Sequence, residues 1–246
     1  MSRLKRPEVS NANANPVKKF LEWKSNDQNF QWYDKATCRK KGVELPLKVL
    51  FLEHYHTVKG WSDSANSGIW SNEVFNSRKE EVTVRNANGV IATGIYNEMK
   101  DTIKNAGGVY YRSVYCMTPE GEIINLQLKG AALGGLNAET SVDKTDVLGW
   151  STFYGGDRKK NIKGVSHLLD NQWIEIKEAK GGKKGAVKFS IPHFEVGEVI
   201  TRDEDKLANE AANKLQTYMD QYFAKEVEEI EVEAEVVEAD LSDLAF

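Results

Sequence analysis

The sequence lacks the long apolar runs that would place it across a membrane. In 246 residues, no stretch approaches the roughly 20 apolar residues that a bilayer-spanning helix needs. The first residues, MSRLKRPEVSNANANP, are basic but contain no apolar segment typical of a secretory signal. Only two cysteines are present, Cys38 and Cys116, which is too few for a disulfide framework. We therefore expect a soluble protein of a reducing compartment, the cytoplasm.

Common catalytic motifs are also missing. The segment GGLNAETS does not match the phosphate-binding loop G-x-x-x-x-G-K-[ST], and no Gly-x-Ser-x-Gly motif occurs. His54 and His56 could bind zinc with Cys38 or Cys116, but these residues lack the close paired spacing of a structural zinc site. We predict no cofactor and no bound metal.

One enzymatic alternative stays open. Asp157, Glu175 and Lys177 resemble in their spacing a magnesium-dependent nuclease site, in which two carboxylates hold the metal ion and a lysine orients water. Glu175 and Lys177 would share one face of a strand. The pattern E-x-K arises by chance in most lysine-rich chains, so the main prediction is a protein that is not an enzyme.

Basic residues are absent from the end of the chain. Residues 226–246 contain nine acidic residues and no lysine or arginine. Residues 1–225 hold all 33 basic residues and 28 of the 37 acidic ones, a net charge of +5. An acidic tail that covers a basic surface until DNA displaces it is one explanation, and a tail that only improves solubility is the other.

Short β-prone segments with Gly, Asn and Pro turns extend from about residue 17 to residue 200. CMTPEGEI predicts a hairpin, and NEMKDTIKN and KGAALGGLN predict short helices. Many short strands with glycine turns favour a mainly β fold, and the length favours an oligonucleotide-binding (OB-like) barrel with insertions.

A helix is predicted after this domain. Thr201 and Glu204 form a capping box at its start. One apolar stripe follows: Leu207, Ala211, Leu215, Tyr218, Met219 and Tyr222. The predicted organisation is a flexible basic arm (1–16), an OB-like domain (17–200), an amphipathic helix (201–224) and a disordered acidic tail (225–246).

The aromatic residues of the β domain lie beside polar and basic residues, as in EWKSNDQNFQWYDK. Rings that stack on bases and cations that follow the backbone are what single-strand binding needs. Strand alternation places Trp173 and Lys177 opposite Ile174 and Ile176, so we expect the isoleucines to face the core and Trp173 and Lys177 to lie on the wet face. Alternation also puts Tyr110 and Arg112 on one face, and in GEIINLQLKG it separates Asn125, Gln127 and Lys129 from Ile124, Leu126 and Leu128. Three basic loops would add phosphate contacts, although many of the rings could equally be core residues.

The predicted DNA-binding residues are Trp23, Trp32, Tyr33, Lys35, Arg39, Lys40, Lys41, Trp61, Trp70, Tyr110, Arg112, Lys129, Arg158, Lys159, Lys160, Trp173, Lys177, Lys183 and Lys184.

The chain resembles the single-stranded-DNA-binding proteins of phages. Its ending, an acidic run closed by DLSDLAF, is similar to the tail tips of bacterial and phage members. TVKGWSDSANSGIWSNEV and SVYCMTPEGEIINLQLKGAAL resemble phage replication-region proteins thought to be such binders. The resemblance covers residues 17–135 and the tail.

The resemblance implies an OB-like barrel without catalysis, in the host cytoplasm. It also implies partners among replication, recombination and repair enzymes, recruited through Asp240, Asp243, Leu244 and Phe246. A terminal Phe offers a ring and a carboxylate at one point, and nearby acids speed the encounter with a basic partner. A virion or scaffold protein that binds no DNA is the remaining alternative. The sequence leaves the oligomeric state open, a homo-oligomer included.

Overall fold

The computed structural model describes the backbone of residues 15–242 and the side chains of residues 15–224. This part of the chain contains eleven strands and four α-helices. The strands are β1 (Lys19–Lys24), β2 (Asn29–Asp34), β3 (Arg39–Val43), β4 (Leu47–Ser62), β5 (Ser67–Ser71), β6 (Glu81–Asn86), β7 (Gly89–Ile95), β8 (Gly108–Met117), β9 (Ile123–Lys129), β10 (Gln172–Lys184) and β11 (Val187–Val199). The helices are α1 (Tyr96–Asn105), α2 (Ala131–Gly134), α3 (Trp150–Gly155) and α4 (Arg202–Ser242).

Nine strands form one open, mixed sheet in the order β3-β2-β1-β9-β8-β4-β5-β6-β7. All neighbours are antiparallel except β1 and β9, which are parallel. The hairpin of β10 and β11 leaves this path and pairs with the start of β4, where Ile174 lies opposite Val49. The predicted mainly β class and the β8–β9 hairpin are confirmed.

The sheet does not close into a barrel. Its end strands are β3 and β7, and no pairing joins them within the described residues. β3 contains Arg39, Lys40 and Lys41, all exposed. Lysines on an edge strand discourage pairing with a further strand, because the added strand would bury their charges. An open sheet is therefore stable here, and the predicted closed barrel is wrong.

The two faces of the sheet have different coverings. On one, the covered face, Val114, Ile124 and Leu126 pack beneath α2, α3 and the β10–β11 hairpin. Trp150 of α3 is fully buried in this core. The opposite face, called the open face here, is covered at one end only, where Tyr115 and Met117 pack against α4.

α4 begins as the sequence predicts and extends further. Thr201 and Glu204 form the capping box, with Thr201 N–H donating to Glu204 Oε2 at 2.7 Å and Glu204 N–H donating to Thr201 Oγ1 at 3.3 Å. Its buried residues are Ala208, Ala211, Leu215 and Met219, whereas Leu207 is exposed. The helix continues to Ser242, over residues where a disordered tail was expected, because this segment is rich in strong helix formers such as Glu and Ala.

Among the described helices, none has a stretch long and apolar enough to cross a bilayer.

Candidate nucleic-acid interface

Strand register collects polar and aromatic side chains on the open face. Thr57 of β4 lies opposite Tyr111 of β8, which lies opposite Lys129 of β9. On the other side of β4, Lys59 lies opposite Trp70, which lies opposite Arg85 of β6. Paired residues in a sheet point to the same face, so this row extends across five strands.

Four aromatic rings that belong to strands of the sheet are exposed on this face. Phe20 is 41% exposed, Tyr33 55%, Trp61 55% and Trp70 48%. Gly68 lies opposite Trp61 and leaves that ring uncovered. A large apolar ring left in water is the informative exception to core burial, and several on one surface mark a binding site.

The backbone near Trp61 is fixed by close contact with the turn before β8. A Cβ at Gly107 would lie 2.1 Å from the carbonyl oxygen of Trp61, and Gly107 has a φ of +96°. Gly60 is equally constrained, since its Cβ would lie 2.2 Å from the Gly107 oxygen. Only glycine fits at these points, so the end of β4 is held firmly and presents Trp61 outward.

Long side chains from different strands meet above the sheet. Lys59 of β4 places its Nζ 5.6 Å from the centroid of the Phe20 ring of β1, although β9 and β8 lie between these strands. Burial lowers the pKa of Lys59, against the opposing effect of Glu73 and Glu22. The rings and cations therefore form one continuous surface rather than separate patches.

A carboxylate occupies the centre of this surface. Glu22 Oε1 accepts hydrogen bonds from Lys129 Nζ (2.9 Å) and from the Tyr111 hydroxyl (3.2 Å), and Lys24 binds its second oxygen. Lys129 Nζ also lies 2.6 Å from the Tyr111 hydroxyl. Burial alone would raise the pKa of Glu22, but the hydrogen bonds from Lys24 and Lys129 outweigh it and lower the pKa to about 2. Glu22 therefore holds the two lysines in place.

Two clefts lie at the β1–β2–β3 end of the face. One has a volume of about 420 Å³ and the other about 150 Å³, and Phe20, Trp32 and Tyr33 line both. The ring of Trp32 lies between two lysines, with Lys19 Nζ 5.5 Å and Lys41 Nζ 5.8 Å from its centroid. Trp32 is partly buried against the covered-face core, so the exposed rings that line the clefts are Phe20 and Tyr33. Exposed rings beside cations are suited to holding a base and its phosphate.

The structure brings part of the predicted DNA-binding set together. Tyr33, Lys40, Trp61, Trp70 and Lys129 share the open face. Lys35 is exposed in the β2–β3 turn, whereas Trp32, Arg39 and Lys41 alternate with Tyr33 and Lys40 and therefore point to the other side of this hairpin.

The sequence prediction missed several residues of the open face, among them Phe20, Lys24, Gln31, Lys59 and Arg85. The alternation in KFLEWK was a usable signal, since Leu21 and Trp23 are the buried residues of that strand and Phe20 and Glu22 point the other way.

Two tryptophans predicted to bind DNA are core residues. Trp23 is 6% exposed, packs edge-on against Phe30 at 5.0 Å, and donates its Nε1–H to the Ser190 carbonyl at 2.8 Å. Trp173 is fully buried and lies in the cluster beneath α4. The wet-face prediction for Trp173 is wrong because β10 is buried on both sides at this point, with Ile174 in the other core.

Tyr110 and Arg112 do share a face, as predicted, but it is the covered face. They lie on the same face of the sheet as His54 and His56 of β4, whereas Lys129 lies on the other face. Their register with Val58 and Leu128, both core residues, fixes this orientation. They therefore cannot act together with the exposed tryptophans.

The other basic candidates lie in segments that cover the opposite side of the sheet. Arg158, Lys159 and Lys160 are exposed in the turn after α3, and Lys183 and Lys184 are exposed at the tip of the β10–β11 hairpin. Lys177 is paired with carboxylates instead, with Glu195 at 2.7 Å and Glu175 at 3.5 Å.

Asp157 and Glu175 of the nuclease pattern each make other contacts in the structure. Asp157 Oδ1 accepts the backbone N–H groups of Lys159 and Lys160 in its own turn, at 2.9 and 3.4 Å. Over the residues whose side chains are described, no three His, Cys, Asp or Glu side chains converge on one point. Of the residues in the zinc alternative, His54 has its Nε2 2.8 Å from Arg112 Nη1, Cys38 is exposed in the turn before β3, and Cys116 is buried.

The predicted partner-binding residues cannot be placed. The backbone of Asp240 lies in α4, but its side chain is outside the described residues, and so are Asp243, Leu244 and Phe246.

Comparison of the chain with protein-family models, with curated proteins and with solved structures gave no match.

Proposed function

We propose that this protein binds single-stranded DNA, without sequence preference and without catalysis, on the open face of its sheet. The observation that carries the proposal is the set of four exposed rings, Phe20, Tyr33, Trp61 and Trp70, on one face with several cations. Each base has a π-face, so stacking on such rings tolerates any sequence.

The cations are arranged to follow a backbone between the rings. Lys40 lies opposite Tyr33, and Lys59 lies opposite Trp70, so each of these rings has a lysine directly across the strand pair. Lys24 and Lys129 share Glu22 at the centre. A strand crossing the face from β3 to β6 would meet a ring and a positive charge at both ends.

The open face supports a single strand better than a duplex. A duplex shows proteins its phosphates and groove edges, whereas a single strand offers base faces for stacking. The two clefts beside Phe20 and Tyr33 add concave space next to exposed rings.

Recruitment of replication or recombination enzymes by the acidic end of the chain completes the proposal. It is supported by the nine acidic residues of 226–246 and by the resemblance of DLSDLAF to known tail tips.

The test is a titration of the full chain with poly-dT, followed by tryptophan fluorescence, and repeated with duplex DNA and with Mg²⁺. Trp61 and Trp70 should be quenched by the single strand at far lower concentrations than by the duplex. Trp61→Ala and Trp70→Ala should each weaken binding, since one stacked base contributes about 1–3 kcal/mol. His167→Ala, which removes an exposed ring outside the open face, is the control. Equal affinities for single strand and duplex, or strand cleavage with Mg²⁺, would contradict the proposal.

A further inference from the structure

A second polar cluster lies on the covered face, behind the proposed DNA surface. It comprises His54, His56, Tyr110, Arg112 and Tyr154, and is called the Arg112 cluster here. β4 contributes the histidines, β8 contributes Tyr110 and Arg112, and α3 contributes Tyr154. Each of the five side chains retains some contact with solvent.

The cluster is tightly connected. Arg112 Nη1 donates to His54 Nε2 at 2.8 Å, and the Tyr110 hydroxyl is hydrogen-bonded to His56 Nδ1. The rings of His54 and Tyr154 have centroids 4.5 Å apart, and those of His54 and His56 are 6.4 Å apart. The Arg112 guanidinium is thus bordered by two imidazoles and two phenols.

The positive charge of Arg112 has no carboxylate partner. None of the ion pairs among residues 15–224 includes Arg112, and the groups that act on it are Tyr110 and Tyr154. Its Nε and the Nδ1 of His54 are shielded from solvent and have no hydrogen-bond partner in this part of the chain. An unpaired, partly buried guanidinium is costly to the fold, which makes an anionic ligand favourable there.

The histidines are held neutral by this environment. Burial, and then the charge of Arg112, lower the pKa of His54 to about 3 and that of His56 to about 4. Arg78 adds to the effect on His56. An anion bound beside Arg112 would offset the charge contribution, though not that of burial, and would therefore favour protonated imidazoles.

We propose that the Arg112 cluster binds a phosphate group. A guanidinium presents parallel N–H donors that match two phosphate oxygens, and the Tyr110 and Tyr154 hydroxyls supply further donors. Ser77 Oγ, 3.4 Å from both His56 Nδ1 and the Tyr110 hydroxyl, lies at the same site. The phosphate can come from free inorganic phosphate or from the 5′ end of a strand. This inference does not depend on DNA binding at the open face.

Binding should be linked to proton uptake. The titratable and charged groups around the imidazoles are Arg112, Arg78, Tyr96, Tyr110 and Tyr154, with Glu53 and Asp170 acting on Tyr154. Since phosphate raises the pKa of His54 and His56 from low values, its affinity should increase as the pH falls toward those raised pKa values.

The experiment is a titration of the full chain with inorganic phosphate at constant ionic strength, followed by NMR of the four histidine side chains. We expect saturable shifts for His54 and His56 only, because His167 is exposed elsewhere and His193 lies beside Glu178 and Glu195. Chloride at the same ionic strength should cause none. Arg112→Gln should reduce the affinity at least tenfold, and Arg112→Lys should reduce it less.

A thymidine oligomer with and without a 5′ phosphate identifies the source. Shifts that require the 5′ phosphate indicate a strand end, and shifts caused by inorganic phosphate but by neither oligomer indicate free phosphate. If Arg112→Gln does not fold, Tyr154→Phe, which removes one donor at the site, takes its place with a smaller expected loss. No shift of His54 and His56 with any of these ligands, or the same shift in the variants, overturns the proposal.

Discussion

Replacing Glu22 should strengthen DNA binding while weakening the fold. Glu22 is the central carboxylate of the open face, and it binds Lys24, Lys129 and Tyr111. In Glu22→Gln the side chain keeps its shape but loses its charge. The two lysines are then released to bind phosphates. An effect of opposite sign on binding and on stability is hard to obtain from general damage to the protein.

The structure sets the size of both effects. The pKa of Glu22 is lowered from 4.5 to about 2, which corresponds to about 3 kcal/mol of stabilisation as an upper value. The side chain is 27% exposed, so solvent screens part of this, and we expect a loss of about 1–3 kcal/mol. For DNA binding, each additional phosphate neutralised makes the slope of log K against log salt steeper by about 0.7. Because Glu22→Gln releases two lysines, its slope should be steeper than that of the wild type by up to twice this amount.

The pH dependence follows from the direction of the pKa shift. A carboxyl group with a lowered pKa in the folded state stabilises the protein above its unfolded pKa, and this stabilisation is lost as the pH falls through the folded pKa. The difference in unfolding free energy between wild type and Glu22→Gln should be full above about pH 5 and should decline toward pH 2.

The assays are urea unfolding at several pH values and poly-dT titration at several salt concentrations. Asp146→Asn is the matched control, because it also removes one negative charge and frees a lysine, Lys160, but on a segment outside the open face. The same gain in affinity in both variants would show that net charge alone is responsible. A Glu22→Gln protein that binds DNA no better than wild type would refute the assignment of this face.

Three further predictions concern the core, the cations and the tail. Trp173→Ala should destabilise the protein by about 3–5 kcal/mol in urea unfolding, because its ring is fully buried under α4, and an unchanged stability would contradict that packing. The affinity for poly-dT should fall steeply as salt is added, with log K decreasing by about 0.7 per unit of log salt for each phosphate neutralised. An affinity that does not change with salt would show that the lysines do not contact phosphates. Deleting residues 226–246 should raise the affinity for DNA, most at low salt. Adding one residue after Phe246 should leave the DNA affinity unchanged and abolish the pull-down of replication enzymes. If neither result is obtained, the tail serves only to improve solubility.

Sequence-based predictions were confirmed where residues close together in the chain determine the local structure. The capping box of Thr201 and Glu204 formed because both partners lie within one helical turn. The turn in CMTPEGEI placed β8 beside β9, and the alternation in GEIINLQLKG correctly separated Leu126 and Leu128 from Gln127 and Lys129. Of the site, this alternation captured Lys129, and the exposed rings Tyr33, Trp61 and Trp70 were found from their polar neighbours.

The sequence by itself determined which side chains share a face of each strand, because side chains alternate along any extended chain. Only the tertiary structure decided which face is covered, since that depends on segments far away in the chain. Ile174 and Trp173 point in opposite directions, yet both are buried, because the sheet covers one and α4 covers the other. Tyr110 and Arg112 share a face as their spacing requires, but α3 and β4 turn that face into a partly buried cluster. The nine-strand order that joins Phe20, Lys59 and Trp70 in one surface likewise arises from pairings between distant segments, which no local pattern specifies.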